Sequence, residues 1–124
     1  MKTILIVDNH PEFLIAVSHL VADLLQDLQK GPVKILRTTS AIAAFNASRS
    51  QRIDLLITDY QIPNEMNGFQ LISRLRDRPE MRKVLMTFGS LELLEALAAE
   101  QGVDDVLRKP IEENELRTIL EKYI

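Results

Sequence analysis

Asp8, Asp59, Thr87 and Lys109 each fall at or just beyond the end of a short apolar run, and Asn9 stands next to Asp8. Together they offer two carboxylates, an amide, a hydroxyl and an ammonium. Two acidic groups beside an amide oxygen suit a hard cation such as Mg²⁺, which takes oxygen ligands and keeps several of its waters. An aspartate can also be a nucleophile and form an acyl phosphate. With Asp59 in that role, Thr87 and Lys109 are suited to hold the oxygens of the phosphoryl group and neutralise charge as it develops. Spacing along the chain is only suggestive. The elements that present these residues decide whether they meet.

Ile4-Leu5-Ile6-Val7 reads as a strand apolar on both faces, as at the centre of a parallel sheet. Pro11 suits a first helical position, and Leu14, Val17, Val21, Leu24 and Leu28 then recur at helical spacing until Gly31-Pro32. Val33 to Arg37 is a weaker strand. Ala41 to Ser50 is an Ala-rich helix behind the capping candidates Thr39 and Ser40. Asp54 to Thr58 is a third strand, Asp59 to Asn67 a loop, Gly68 to Asp77 a helix, and Val84 to Thr87 a fourth strand. Ser90 is placed to cap a helix running through Leu94, Leu97 and Ala98 to a stop at Gly102. Val103 to Leu107 contains a fifth strand, and Leu116, Ile119, Leu120 and Tyr123 share one face of a last helix.

Strand and helix alternate five times. That pattern predicts a parallel sheet with helices on both faces and right-handed crossovers. In such folds the site lies beyond the carboxyl ends of the strands, where strand order reverses. Asp8-Asn9 ends strand one, Asp59 follows strand three, Thr87 ends strand four, and strand five leads to Lys109-Pro110. Placement at four separate strand ends is a far stronger signal than spacing.

The bulk properties agree with one ordinary domain: 124 residues, 46% hydrophobic and 27% charged. The net charge is −3, and Lys and Arg form no run longer than the pairs Arg82-Lys83 and Arg108-Lys109. A basic stripe for nucleic acid is absent, so direct DNA or RNA binding is not expected. There is no cysteine, which excludes disulfides and thiolate metal sites. The N-terminal apolar run is too short for a signal peptide or a membrane span, so the expected location is cytoplasmic, with no membrane contact.

The residues Ile4 to Asn9, Asp59 with Ile62-Pro63 and Met66-Asn67-Gly68, Met86-Thr87, and Asp104 to Pro110 together resemble response regulator receiver domains of two-component signalling, those of bacterial chemotaxis among them. The resemblance spans the chain, 1–124, as a single receiver domain. It implies a flavodoxin-like, doubly wound (βα)5 α/β fold with strand order 2-1-3-4-5. It also implies Asp59 as phospho-acceptor, Thr87 and Lys109 as partners of the phosphoryl group, and a cis Lys109-Pro110 bond. Mg²⁺ would be held by Asp8, Asn9, Asp59 and the backbone carbonyl of Gln61. The expected partners are a histidine kinase or phosphotransfer protein and a downstream protein or attached domain. Such a chain is not an enzyme beyond its own phosphorylation and dephosphorylation.

Several residues depart from that family's pattern. Asn9 stands where a second acid is usual and so lowers the expected metal affinity; alternatively it merely starts the following helix. One extra residue lies between Asp59 and Gly68, a cheap loop insertion. Phe88 replaces a small residue and would cover the site, or else pack outward. Val106 replaces an aromatic, for which a β-branched strand residue is a sufficient explanation. His10 is expected to flank or cap the first helix rather than to bind metal. With no output domain after the last helix, the chain is either a stand-alone receiver or one domain of a longer protein. Two other readings compete: a phosphorylation-independent pseudo-receiver, and an unrelated enzyme on the same scaffold. The latter lacks an Asp-x-Asp signature, since Ile6 and His10 flank Asp8 at two residues' distance.

Overall fold

The structure is a computed structural model and describes residues 1–89 and 100–124. Five parallel strands form one sheet in the order β2-β1-β3-β4-β5. They are β1 (Lys2–Val7), β2 (Val33–Thr38), β3 (Leu55–Asp59), β4 (Arg82–Thr87) and β5 (Asp105–Arg108). The helices described are α1 (Pro11–Asp27), α2 (Ala41–Ser50), α3 (Gly68–Ser73) and α4 (Glu113–Tyr123). The helix expected from Ser90, with Leu94, Leu97 and Ala98, lies outside the described residues up to residue 99. Its expected stop, Gly102, has φ +87°.

Side chains on a strand alternate between faces, so each central strand feeds two cores. Ile4, Ile6, Leu55, Ile57, Val84 and Met86 pack with α1 and α4 on one face. Leu5, Val7, Leu56 and Leu85 pack with α2 and α3 on the other. This is why the apolar runs are continuous rather than alternating.

Several boundaries differ from the sequence expectation, β4 for instance starting at Arg82 rather than Val84, and three differences have a clear local cause. Asp59 is the last residue of β3 and not the first of the loop, because it still pairs with Met86 of β4. The helix α3 ends at Ser73 instead of Asp77. Beyond it the chain tightens into three-residue turns, with Leu75 N–H donating to Ile72 and Arg78 N–H to Leu75, on the way to Pro79. Finally, α1 closes before Gly31. Gln29 takes the left-handed φ of +55°, while Lys30 N–H donates to Leu25 and Gln29 N–H to Gln26. Those two bonds are a Schellman cap built on glutamine rather than glycine.

Candidate functional site

Asp8 continues β1 in the parity of Ile4 and Ile6, Asp59 ends β3 in the parity of Leu55 and Ile57, and Lys109 follows β5 in the parity of Leu107. All three parities face α1. The fold therefore delivers two acids and a lysine from three strands to one rim of one face. Lys109 Nζ lies 2.6 Å from Asp8 Oδ2 and 3.3 Å from Asp59 Oδ1. All three residues are buried. The lysine also lies 4.3 Å from the centre of the Phe13 ring, on the first turn of α1, and 5.5 Å from that of Phe88. An ammonium over an aromatic face gains further electrostatic stabilisation.

The other oxygen of Asp59 faces Asn9. The inner atom of the Asn9 amide lies 3.1 Å from Asp59 Oδ2 and 3.0 Å from the Gln61 carbonyl oxygen; turned nitrogen-inward, the amide donates to both. Turned oxygen-inward, it would sit about 3 Å from each oxygen. That is the edge of an octahedron with metal–oxygen bonds of about 2.1 Å, the magnesium distance. The donor set is thus all hard oxygen. The two carboxylates, offset by one lysine, leave negative charge for a dication. These residues fit magnesium. Asp8, Asp59 and the exposed His10 also lie close enough together to share a metal ion. His10 Nδ1, however, points at Asp8 Oδ1 from 3.4 Å, and the His10 N–H donates to that same oxygen. His10 occupies the N-cap of α1 without a side-chain cap, so it flanks the helix as expected.

Burial pushes the Asp59 carboxyl above its ordinary range; the neighbouring Lys109 pulls it down, and Asp8 pushes it up again. Thr87 is buried at the end of β4, where its hydroxyl accepts the Gly89 N–H at 3.0 Å. Its backbone carbonyl accepts the Lys109 N–H, which ties the β5 end to β4. Phe88 is 74% exposed, so its ring borders the lysine without closing the site. Val106 is half-buried against the α2–α3 core. The Lys109-Pro110 bond is cis.

Two contributors were not evident from sequence. Phe13 is one turn beyond Asp8-Asn9, and that adjacency is its only sequence signal. Glu65, in the β3–α3 loop, accepts hydrogen bonds from the Ser40 hydroxyl and the Ala41 N–H. The signal for it is the absence of any acid in the first turn of α2.

A doubly wound parallel sheet that gathers an acid pair and a lysine at its carboxyl rim defines a phosphoryl-handling switch domain. The chain matches the response regulator receiver domain family over residues 4–121, and it belongs to that family. It is 32% identical over 117 residues to the cyclic di-GMP phosphodiesterase response regulator RpfG of Xanthomonas campestris, covering 92% of this chain and 29% of that protein. It is 27% identical to hybrid signal transduction histidine kinase L of Dictyostelium discoideum, covering 98% of this chain but 7% of that kinase. The chain thus spans a minor part of either relative. Among solved structures, the receiver domain of an HD domain-containing protein from Pseudomonas fluorescens matches with TM-score 0.82 and 26% identity, over 98% of this chain and 85% of that one. The receiver domain of sensor histidine kinase PA1611 of Pseudomonas aeruginosa matches with TM-score 0.80 and 20% identity, over 98% and 96% of the two chains. That structure has a magnesium ion coordinated in its active-site cleft.

Proposed function

We propose that residues 1–124 are a single receiver domain that takes a phosphoryl group onto Asp59 from a histidine kinase or phosphotransfer protein. The observation that carries this reading is the buried Lys109 ammonium, 2.6 Å from Asp8 and 3.3 Å from Asp59. An Asp59 oxygen forms the new bond to phosphorus as the donor's bond breaks, and Lys109 is already in place to pair the charge on the transferred oxygens. Thr87 supplies a hydroxyl at the neighbouring strand end. Asp8, Asn9, Asp59 and the Gln61 carbonyl would hold Mg²⁺, which would offset the repulsion between the carboxylates and an incoming phosphoryl group. The magnesium in the PA1611 receiver belongs to that protein; here the metal rests on the oxygen set. The output is a change of surface beside Lys109, read by a downstream protein or an attached domain in the cytoplasm. The net charge of −3 argues against nucleic acid as the direct partner. No helix among the described residues is long and apolar enough to cross a membrane. The domain acts on no substrate beyond its own acceptor.

A small acyl-phosphate donor with Mg²⁺ should give a labile phosphorylated species, detected by intact mass, and Asp59→Asn should abolish it. Magnesium titration by calorimetry should give tighter binding for Asn9→Asp, which adds a full charge beside a hard cation. A folded, magnesium-bound protein that accepts nothing from small donors or from several kinases would instead be a pseudo-receiver. Labelling that survives Asp59→Asn would place the chemistry at another residue.

A further inference from the structure

The loop from Tyr60 to Asn67 carries the Gln61 carbonyl, and it is held at three points. Its base is closed by the Gly68 N–H donating to the Tyr60 carbonyl at 2.8 Å. Ile62 is sunk in the α2–α3 core. The third point is Glu65. Its Oε1 accepts the Ala41 N–H at 2.8 Å and its Oε2 the Ser40 hydroxyl at 2.9 Å. Ser40 in turn accepts the Ala43 N–H and donates its own N–H to Thr38 Oγ1. Among the described residues, no other side chain of 61–66 hydrogen-bonds to another element.

In the sheet β1 lies between β3 and β2, so the tie from Glu65 to the start of α2 spans the width of β1, where Asp8 and Asn9 emerge. The carboxylate meets two groups at the positive end of a ten-residue helix that has no acid in its own first turn. Both its oxygens are satisfied there, and Glu65 is half-buried.

We propose that Glu65 is a positioning residue of the acceptor site: by gripping the N-terminus of α2 it keeps the Gln61 carbonyl against Asn9 and Asp59. The part concerning metal affinity rests on the magnesium reading above. Residues that orient the ligands of a metal commonly change its affinity without touching it. Glu65→Ala should weaken Mg²⁺ binding by about tenfold, at the low end for such residues. It should also speed exchange of the Ala41 amide and shift the Asn9 side-chain and Gln61 backbone NMR signals. Glu65→Gln keeps an acceptor for Ala41 and should restore part of each effect; it also serves if the alanine variant folds poorly. Arg49→Ala breaks the pair between the far end of α2 and Asp77. It should leave the magnesium affinity and the Asn9 signals as they are in the wild type. If Glu65→Ala changes only Ala41 exchange, leaving Asn9, Gln61 and magnesium affinity alone, Glu65 caps a helix and nothing more. If the wild-type protein binds no Mg²⁺, the metal reading falls, while the Asn9 and Gln61 signals still decide the role of Glu65.

Discussion

At Asp59, burial and charge pull in opposite directions. Desolvation raises its pKa above the ordinary carboxylate value of 3.8, and Lys109 only partly reverses this. The folded state then holds the Asp59 proton more tightly than the unfolded chain does. Protons leave on unfolding between the two pKa values, so stability falls as pH rises through that window. At neutral pH the ionised Asp59 carboxylate therefore destabilises the fold. In a chelator, Asp59→Asn should melt at a higher temperature than wild type at pH 7, and the difference should shrink as pH falls toward 3.8. An equal or lower melting temperature at pH 7 would mean that Lys109 fully offsets the burial. Asp8, Asp59 and Lys109 were legible in the sequence because each lies within two residues of the end of an apolar stretch. Phe13 and Glu65 were not. Their partners, Lys109 and the Ser40-Ala41 pair, lie on other elements, and periodicity shows which face a residue takes but not which group it meets there.

Element boundaries show the same division. The strands were recognisable because a run apolar at every position has to be buried on both faces, and Ile4–Val7 and Leu55–Ile57 are. The end of β3 was not, since only the pairing of Asp59 with Met86 across the sheet extends the strand past Thr58. The start of α3 is fixed by a capping box, in which Asn67 accepts the Gln70 N–H and Gln70 the Asn67 N–H. The next residue, Gly68, lets the helix approach the end of β3. A Cβ there would lie 2.4 Å from the Asp59 carbonyl oxygen and 2.8 Å from Leu85 Cδ1. One of those atoms is backbone of Asp59 itself, so relief requires moving the strand end or the helix. Gly68→Ala should cost about 2–3 kcal/mol in urea unfolding, the upper part of the usual range for overpacking. It should also shift the Asp59 and Tyr60 amide signals. A loss below about 0.5 kcal/mol, the scatter of ordinary surface substitutions, would show that the helix can retreat freely.

Across the whole molecule, Lys109 closes the chain on itself, because it joins Asp8 from 101 positions away. The two acids come from β1 and β3, in the middle of the sheet, whereas the lysine follows the edge strand β5. The ion pairs thus bind the edge of the sheet to its centre at the carboxyl rim. Such a pair contributes little compared with an apolar replacement of the whole group, but removing one partner leaves the other charge buried and alone. Lys109→Ala leaves Asp8 and Asp59 facing each other without a cation, and it also removes the ammonium that lies over the Phe13 ring. The expected loss is about 3–5 kcal/mol at pH 7. Typical domains have about 5–15 kcal/mol to lose, so the variant should remain folded but melt early. Without the lysine, the Asp59 carboxyl loses the charge that pulls its pKa down against burial, so the folded state takes up a proton more readily than the unfolded chain. Stability of the variant should therefore rise as pH is lowered from 7 toward 5, more steeply than for wild type. Mg²⁺ should restore part of the loss by binding only the folded acid pair. Urea unfolding at both pH values, with and without the metal, measures all three effects. A loss under about 1 kcal/mol, typical of exposed pairs, would show that water reaches the two acids and that the lysine is not their essential counter-charge.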